Sequence, residues 1–235
     1  MSGVSRAPKP DRAYRACLLD ALGTTVRLLP PWERIDPELV SGIAPERVRA
    51  AFGAEMTYYA AHAHEASDGE RLATLRRRCA RLLSDGLGRE VSVAELMASI
   101  AFEPYADAGP ALEQLRHRGL RIVCVSNWDC GLAAVLKRVG LASRFDGIAA
   151  SALVGARKPD PAIFARALEI AGCGATEAIH VGDGDDDVEG ARSAGIDVLR
   201  IARAGPGGDI ESLAQLPPIV SAGPPLRPIG QDPPR

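Results

Sequence analysis

Short apolar runs at residues 14–19, 120–126, 147–150, 178–181 and 198–201 alternate with helical periodicity at 107–118, 131–139, 161–171 and 188–194. Continuous apolar runs of this length suit strands buried on both faces, and the intervening helices supply the crossovers that parallel strands need. The expected fold class is therefore α/β, a doubly wound parallel sheet with helices on both faces. In open sheets of this kind ligands gather outside the carboxyl ends of the strands, where strand order reverses. Asp20, Ser126 and Asp183 each end or directly follow a predicted strand.

The first two strands are separated by about a hundred residues, far more than the dozen or so that one crossover needs. Residues 45–65 read as a helix with proline in its first turn. Residues 70–83 read as another, with leucines at Leu72, Leu75, Leu82 and Leu83. Ser92 and Glu95 have capping-box spacing and open a third, shorter helix. This excess predicts a helical insert at residues 32–102 on a core of 13–31 and 103–204. The polar, proline-bearing ends at 1–12 and 221–235 are expected to be disordered.

The chemistry concentrates at the predicted strand ends. Asp20 is followed by Gly23 and Thr24, whose turn could aim backbone N–H groups at one small volume, and a carboxylate there could attack phosphorus. In Gly182-Asp183-Gly184-Asp185-Asp186-Asp187 four carboxylates crowd behind an apolar strand. A hard divalent cation relieves such crowding, and magnesium takes one or two protein carboxylates plus water and phosphate oxygens. Asp183 is the expected ligand, with Asp186 or Asp187 supporting it and starting a helix. The segment is not an EF-hand loop, because Val188 stands where glycine must turn the chain. Nor is it a dinucleotide fingerprint, because Asp187 occupies the place of the third glycine. Ser126 and Asn127 could hold a phosphate oxygen, and Lys158, stiffened by Pro159 and Pro161, could balance the negative charge.

Taken in order, Asp20-Ala21-Leu22-Gly23-Thr24, Ser126-Asn127, Lys158-Pro159 and Gly182-Asp183 resemble the four-motif active site of the haloacid dehalogenase-like hydrolases. The resemblance spans roughly residues 14–203. It implies a Rossmann-like core of strand order 5-4-1-2-3 with a helical cap between the first two motifs. It also makes Asp20 nucleophile and metal ligand, gives the Leu22 main-chain carbonyl and Asp183 to magnesium beside the Asp187 that the acidic run itself offers, gives Ser126 to phosphate, and makes Lys158 the stabiliser of the reacting charges. The expected function is a magnesium-dependent phosphatase acting on a small phosphorylated metabolite. Leu22 departs from that pattern, for it stands where the phosphatases carry a second aspartate that protonates the leaving oxygen. Acid–base help of this kind is worth roughly 10²–10⁴ in rate. The departure favours slow turnover, or substrates with good leaving groups such as activated esters or acyl phosphates. Two other readings stand beside this one: 2-haloacid dehalogenation, and a pseudoenzyme that binds phosphate or a partner without turnover. Asp129 offers either a substitute acid or a helix cap, and Glu55, Tyr58, Tyr59, His62 and His64 are the polar candidates of the cap.

The remaining composition excludes other classes. A formal net charge of −2 gives no electrostatic footprint for nucleic acid, and no apolar stretch approaches the length of a membrane span. Five cysteines without a CxxC pair suit reduced thiols in the cytoplasm.

Overall fold

The computed structural model describes residues 13–222. The chain opens with β1 (Ala13–Tyr14) and β2 (Ala16–Leu19), and β3 (Val26–Leu28) follows the turn at Gly23. Helices α1 (Pro37–Val40), α2 (Pro45–His62), α3 (Gly69–Leu87) and α4 (Val93–Ser99) precede β4 (Phe102–Pro104). There follow α5 (Ala108–His117), β5 (Arg121–Ser126), α6 (Leu132–Arg138), β6 (Gly147–Ala150), α7 (Ser151–Val154) and α8 (Pro161–Ala171). The chain then forms β7 (Ala178–Gly182), α9 (Asp185–Ser193), β8 (Asp197–Arg200), α10 (Leu216–Ile219) and β9 (Ser221–Ala222).

Five strands form one parallel sheet in the order β6-β5-β2-β7-β8. Numbered by their own succession, this is the order 5-4-1-2-3 that the family resemblance implies. Its period-two alternation divides the core cleanly. Cys17, Leu19, Ile122, Cys124, Ile179 and Val181 face one layer with α5 and α6, whereas Ala16, Leu18, Val123, Val125 and Ala178 face the other with α8 and α9. Burying a leucine as completely as Leu18 contributes about 1.5–3 kcal/mol, so both faces lock the register. Strand order reverses on either side of β2, which sets Leu19 beside Val181 and brings the residues after β2 and β7 to one edge.

The insert lies between β2 and β5 as expected, and the antiparallel pair β3–β4, with Leu28 opposite Phe102, closes its neck. Sequence pattern does not show this ribbon, because three residues ending in Pro104 carry no alternation. We propose that the boundaries of the insert fall at the ribbon, close to residues 32 and 102. Helix α3 is capped at its start by Asp68, whose carboxylate accepts the Arg71 N–H at 2.9 Å, and at its end by Gly88 in the left-handed region. Its buried stripe of Leu72, Leu75, Cys79, Leu83 and Leu87 packs on α2. The helices approach closely at Gly86, where a Cβ would lie 2.7 Å from Ala51 Cβ.

Two expectations are corrected at the ends of elements. The helix expected at 188–194 begins at Asp185, because acidic residues are favoured in a first turn by the helix dipole. Ser221 and Ala222, assigned by sequence to a disordered tail, pair in parallel with β1. The rest of the two expected tails, 1–12 and 223–235, lies outside the described residues.

Candidate active site

Four loops at the C-terminal edge of the sheet converge on one buried ammonium group. Lys158 is only 3% exposed, and its Nζ donates to Asp20 Oδ1 at 2.6 Å and to Asp187 Oδ1 at 2.5 Å. Ser126, at the end of β5, donates its hydroxyl to the same Asp20 Oδ1 at 2.9 Å. Asp20 Oδ2 carries no hydrogen bond among the described residues. His180, inside β7, lies 2.7 Å from Asp187 Oδ1 through Nε2, and Gly184 N–H donates to Asp187 Oδ2. Asp187 is therefore fixed from three directions before any ligand arrives.

Oxygens of Asp20, Asp183 and Asp187 all lie within 4.8 Å of one another. Three carboxylates facing one ammonium leave an excess of negative charge that one divalent cation would offset. Oxygen-only donors at this spacing fit a hard ion such as magnesium. The titration behaviour carries the same signature. Burial, reinforced by Asp187 and Asp183 against the pull of Lys158, pushes the Asp20 carboxyl up to about 7. Burial followed by the charge of Asp187 also raises Asp183. Burial works against the Asp187 charge too, but Lys158 and His180 outweigh it and hold that carboxyl well below the usual range. Burial disfavours the Lys158 ammonium, yet Asp20 and Asp187 overcome it and keep the group charged. Burial likewise lowers His180, so a neutral imidazole donates Nε2–H to the Asp187 carboxylate.

The motif turns take different parts from those expected of them. Gly23 N–H bonds Val26 O at 2.9 Å and Thr24 N–H bonds Ala21 O at 3.3 Å. These donors are thus spent within the turn and do not face a phosphate. The N–H groups of Ala21 and Leu22 take no part in the turn's own bonds. Thr24 is fully buried, and its neighbour Thr25 braces the Asp20 and Ala21 carbonyls through its hydroxyl. The Asn127 amide, expected on a phosphate oxygen, is also spent. It accepts the Lys158 N–H and donates to Lys158 O and Asp186 Oδ2, so it brackets three loops together. Leu22, in contrast, is 44% exposed, an isobutyl group presented to solvent where an acid would stand in the phosphatase pattern.

Gly23 has φ +81°, and a Cβ there would lie 2.1 Å from Asp183 Oδ2. This close approach joins the first motif to the fourth and admits no side chain. We expect Gly23→Ala to displace Asp183 and to weaken magnesium binding by roughly 10–100-fold, the usual range for loss of a supporting contact. Calorimetric titration with magnesium checks this, and unchanged affinity would show that the contact is incidental.

Of the cap candidates, Tyr59 meets the core at the loop after β5. Tyr59 OH donates to Asp129 Oδ2 at 2.7 Å, and Gly131 N–H donates to Asp129 Oδ1 at 2.6 Å. Asp129 is thus an acceptor tied to the cap and to the start of α6, and is not placed as a substitute acid. Nearby, Cys130 N–H bonds Ala66 O, and Arg157 bonds Ala61 O. Glu55 is buried against Cys79, with its carboxyl raised by burial. Tyr58 and His62 stack at 4.0 Å. Sequence reasoning missed His180 as a site residue. The signal was a single imidazole in the apolar strand Ala178–Gly182, seven positions before Asp187. It also missed Arg203, which bonds Asp107 and the Thr24 carbonyl and lies 3.9 Å over the Tyr105 ring. Clefts of about 590 and 580 Å³ around His62 and His117 hold none of the motif residues. Among the described residues the five cysteines are unpaired, and no helix is long and apolar enough to cross a membrane.

A helically capped parallel α/β core with carboxylates and one lysine at its switch point defines a class of hydrolase-like folds. The family model "haloacid dehalogenase-like hydrolase" matches residues 14–195, and the chain belongs to that family. It is 35% identical over 122 residues to the haloacid dehalogenase-like hydrolase domain-containing protein 3 of Bos taurus, covering 46% of this chain and 49% of that protein. It is 34% identical over 129 residues to a plasmid-encoded phosphoglycolate phosphatase of Cupriavidus necator, covering 50% of this chain and 55% of that protein. The chain thus spans about half the length of these curated relatives. An L-2-haloacid dehalogenase from Xanthobacter autotrophicus superposes with a TM-score of 0.65 at 22% identity, covering 88% of this chain and 98% of that one, a likeness of fold.

Proposed function

We propose that the protein is a magnesium-dependent phosphatase that hydrolyses a small phosphorylated metabolite through an aspartyl-phosphate on Asp20. The observation that carries this reading is the convergence of Asp20, Asp183 and Asp187 around buried Lys158. The relative named for phosphoglycolate hydrolysis supports the substrate class. Ser126 and Lys158 both hold Oδ1 of Asp20, which leaves Oδ2 as the attacking atom. As the Oδ2–P bond forms, the ester P–O bond breaks and the leaving oxygen departs with the electron pair. Water then attacks the aspartyl-phosphate, releases inorganic phosphate and restores the carboxylate. Asp20, Asp183, Asp187 and the Leu22 carbonyl would hold magnesium, which when bound supplies charge neutralisation for the phosphoryl oxygens.

Leu22 cannot deliver a proton to the leaving oxygen. Substrates that need none, such as aryl and acyl phosphates, should therefore turn over faster than alkyl phosphates. Phosphate release across these three classes, with and without chelator, tests the reading. We expect Leu22→Asp to raise the alkyl phosphate rate about tenfold or more, toward the roughly 10²–10⁴ that general acid–base catalysis supplies. Magnesium binding without phosphate release from any class would support the binding-only reading instead. Chelator-insensitive halide release from short 2-haloacids would support dehalogenation.

A further inference from the structure

Beside Asp183 the edge of the sheet opens into a cleft of about 420 Å³, walled by Gly23, Tyr105, Asp183, Arg200 and Arg203. That volume lies within the range of about 300–1,000 Å³ typical of small-molecule sites. The pairing of Gly182 with Arg200 sets Arg200 next to the strand end that carries Asp183. Arg203 is held rigidly by Asp107, the Thr24 carbonyl and the Tyr105 ring. Arg200 is held loosely, because its partner Asp185 has a side chain 93% exposed. Such a surface pair is worth little, and another anion can replace the carboxylate. The Nε–H groups of both arginines are shielded and have no acceptor among the described residues. Asp107 offsets the charge of Arg203, so Arg200, whose exposed partner Asp185 can be displaced, is the guanidinium open to an incoming anion.

We propose that the cleft is an anion subsite that receives a carboxylate or second phosphate carried by the substrate on a short chain beyond its scissile phosphoryl group. A guanidinium fork matches both groups. The proposal rests on the phosphatase reading and narrows its substrates to phosphomonoesters bearing a second anionic group.

Binding of inert phosphonates to the whole protein with magnesium tests it without turnover. The probes are methylphosphonate, phosphonoacetate and 3-phosphonopropionate, titrated calorimetrically into the native protein and into Arg200→Gln, with thermal melting to confirm that the variant is folded. A charged hydrogen bond gained in the cleft should make at least one carboxylated probe bind about tenfold tighter than methylphosphonate. In Arg200→Gln that advantage should fall to about twofold or less, with methylphosphonate affinity unchanged. Equal affinity for all probes, or an advantage that survives Arg200→Gln, overturns the subsite alone. Free malonate that binds in an Arg200-dependent manner alongside methylphosphonate would show a separate anion site and overturn the substrate-borne assignment. Absence of binding by every phosphonate overturns the phosphatase reading and the subsite with it.

Discussion

Asp20→Asn is expected to lower phosphate release by about 10³-fold or more while leaving the fold intact, since an amide cannot form the covalent intermediate. Loss of a nucleophile is informative only when it is separable from unfolding, and the site makes it so. Burial and the neighbouring carboxylates push the Asp20 carboxyl up to about 7, so its ionised form costs the native state stability. The folded state therefore holds a proton that the unfolded chain has already released near pH 4. In chelator, the Asp20 contribution to native stability should fall as pH rises from about 4 to about 7 and then level off, while His180, lowered by burial, contributes in the opposite sense, so the comparison with the variant isolates Asp20. Asp20→Asn removes the group responsible, so its metal-free stability should overtake that of the native protein across the same window. Melting curves at matched pH check this. Activity that persists in Asp20→Asn would refute the assigned nucleophile. Lower stability of the variant at pH 7 would refute the electrostatic account.

The architecture was readable because its physics is local. Apolar runs such as residues 120–126 fill both layers of a parallel sheet, and the Ser92–Glu95 capping box forms as written, with Ser92 N–H bonded to Glu95 Oε2 at 2.7 Å. The motif residues that lie at strand ends were legible for the same reason, because a strand fixes where its last residue points. What the sequence concealed is how donors are divided. Whether Asn127 holds a ligand or braces Lys158 and Asp186 depends on contacts 31 and 59 residues away. The N–H groups of Gly23 and Thr24 look free in the motif, but the tight turn to Val26 consumes them. Tyr59 and Asp129 are 70 positions apart and meet only because the cap docks on the loop after β5. Long-range pairings of this sort leave no periodicity to read.

Lys158→Met should produce the largest loss of stability of any single change at this site. The ammonium is nearly inaccessible to water and joins Asp20 to Asp187 through two short ion pairs. Its removal leaves buried carboxylates facing one another with no protein cation. Breaking a buried pair in this way costs about 3–5 kcal/mol, most of it the penalty of the charges left behind. The damage should shrink as pH falls, because protonation of Asp20 and Asp187 removes the repulsion that the lysine had offset. Magnesium should restore part of the lost stability, since a second cation can neutralise the same oxygens. It should not restore the rate, because Lys158 also holds Oδ1 of Asp20, and removing one directed donor of this kind costs about 10²–10³ in turnover. Denaturant unfolding of the variant at pH 5 and pH 8, each with magnesium and with chelator, separates these effects. A loss that is equal under all four conditions would mean that Lys158 acts through packing. A loss that is concentrated at pH 8 in chelator would establish the lysine as the resident counter-charge of a site built to hold a second one.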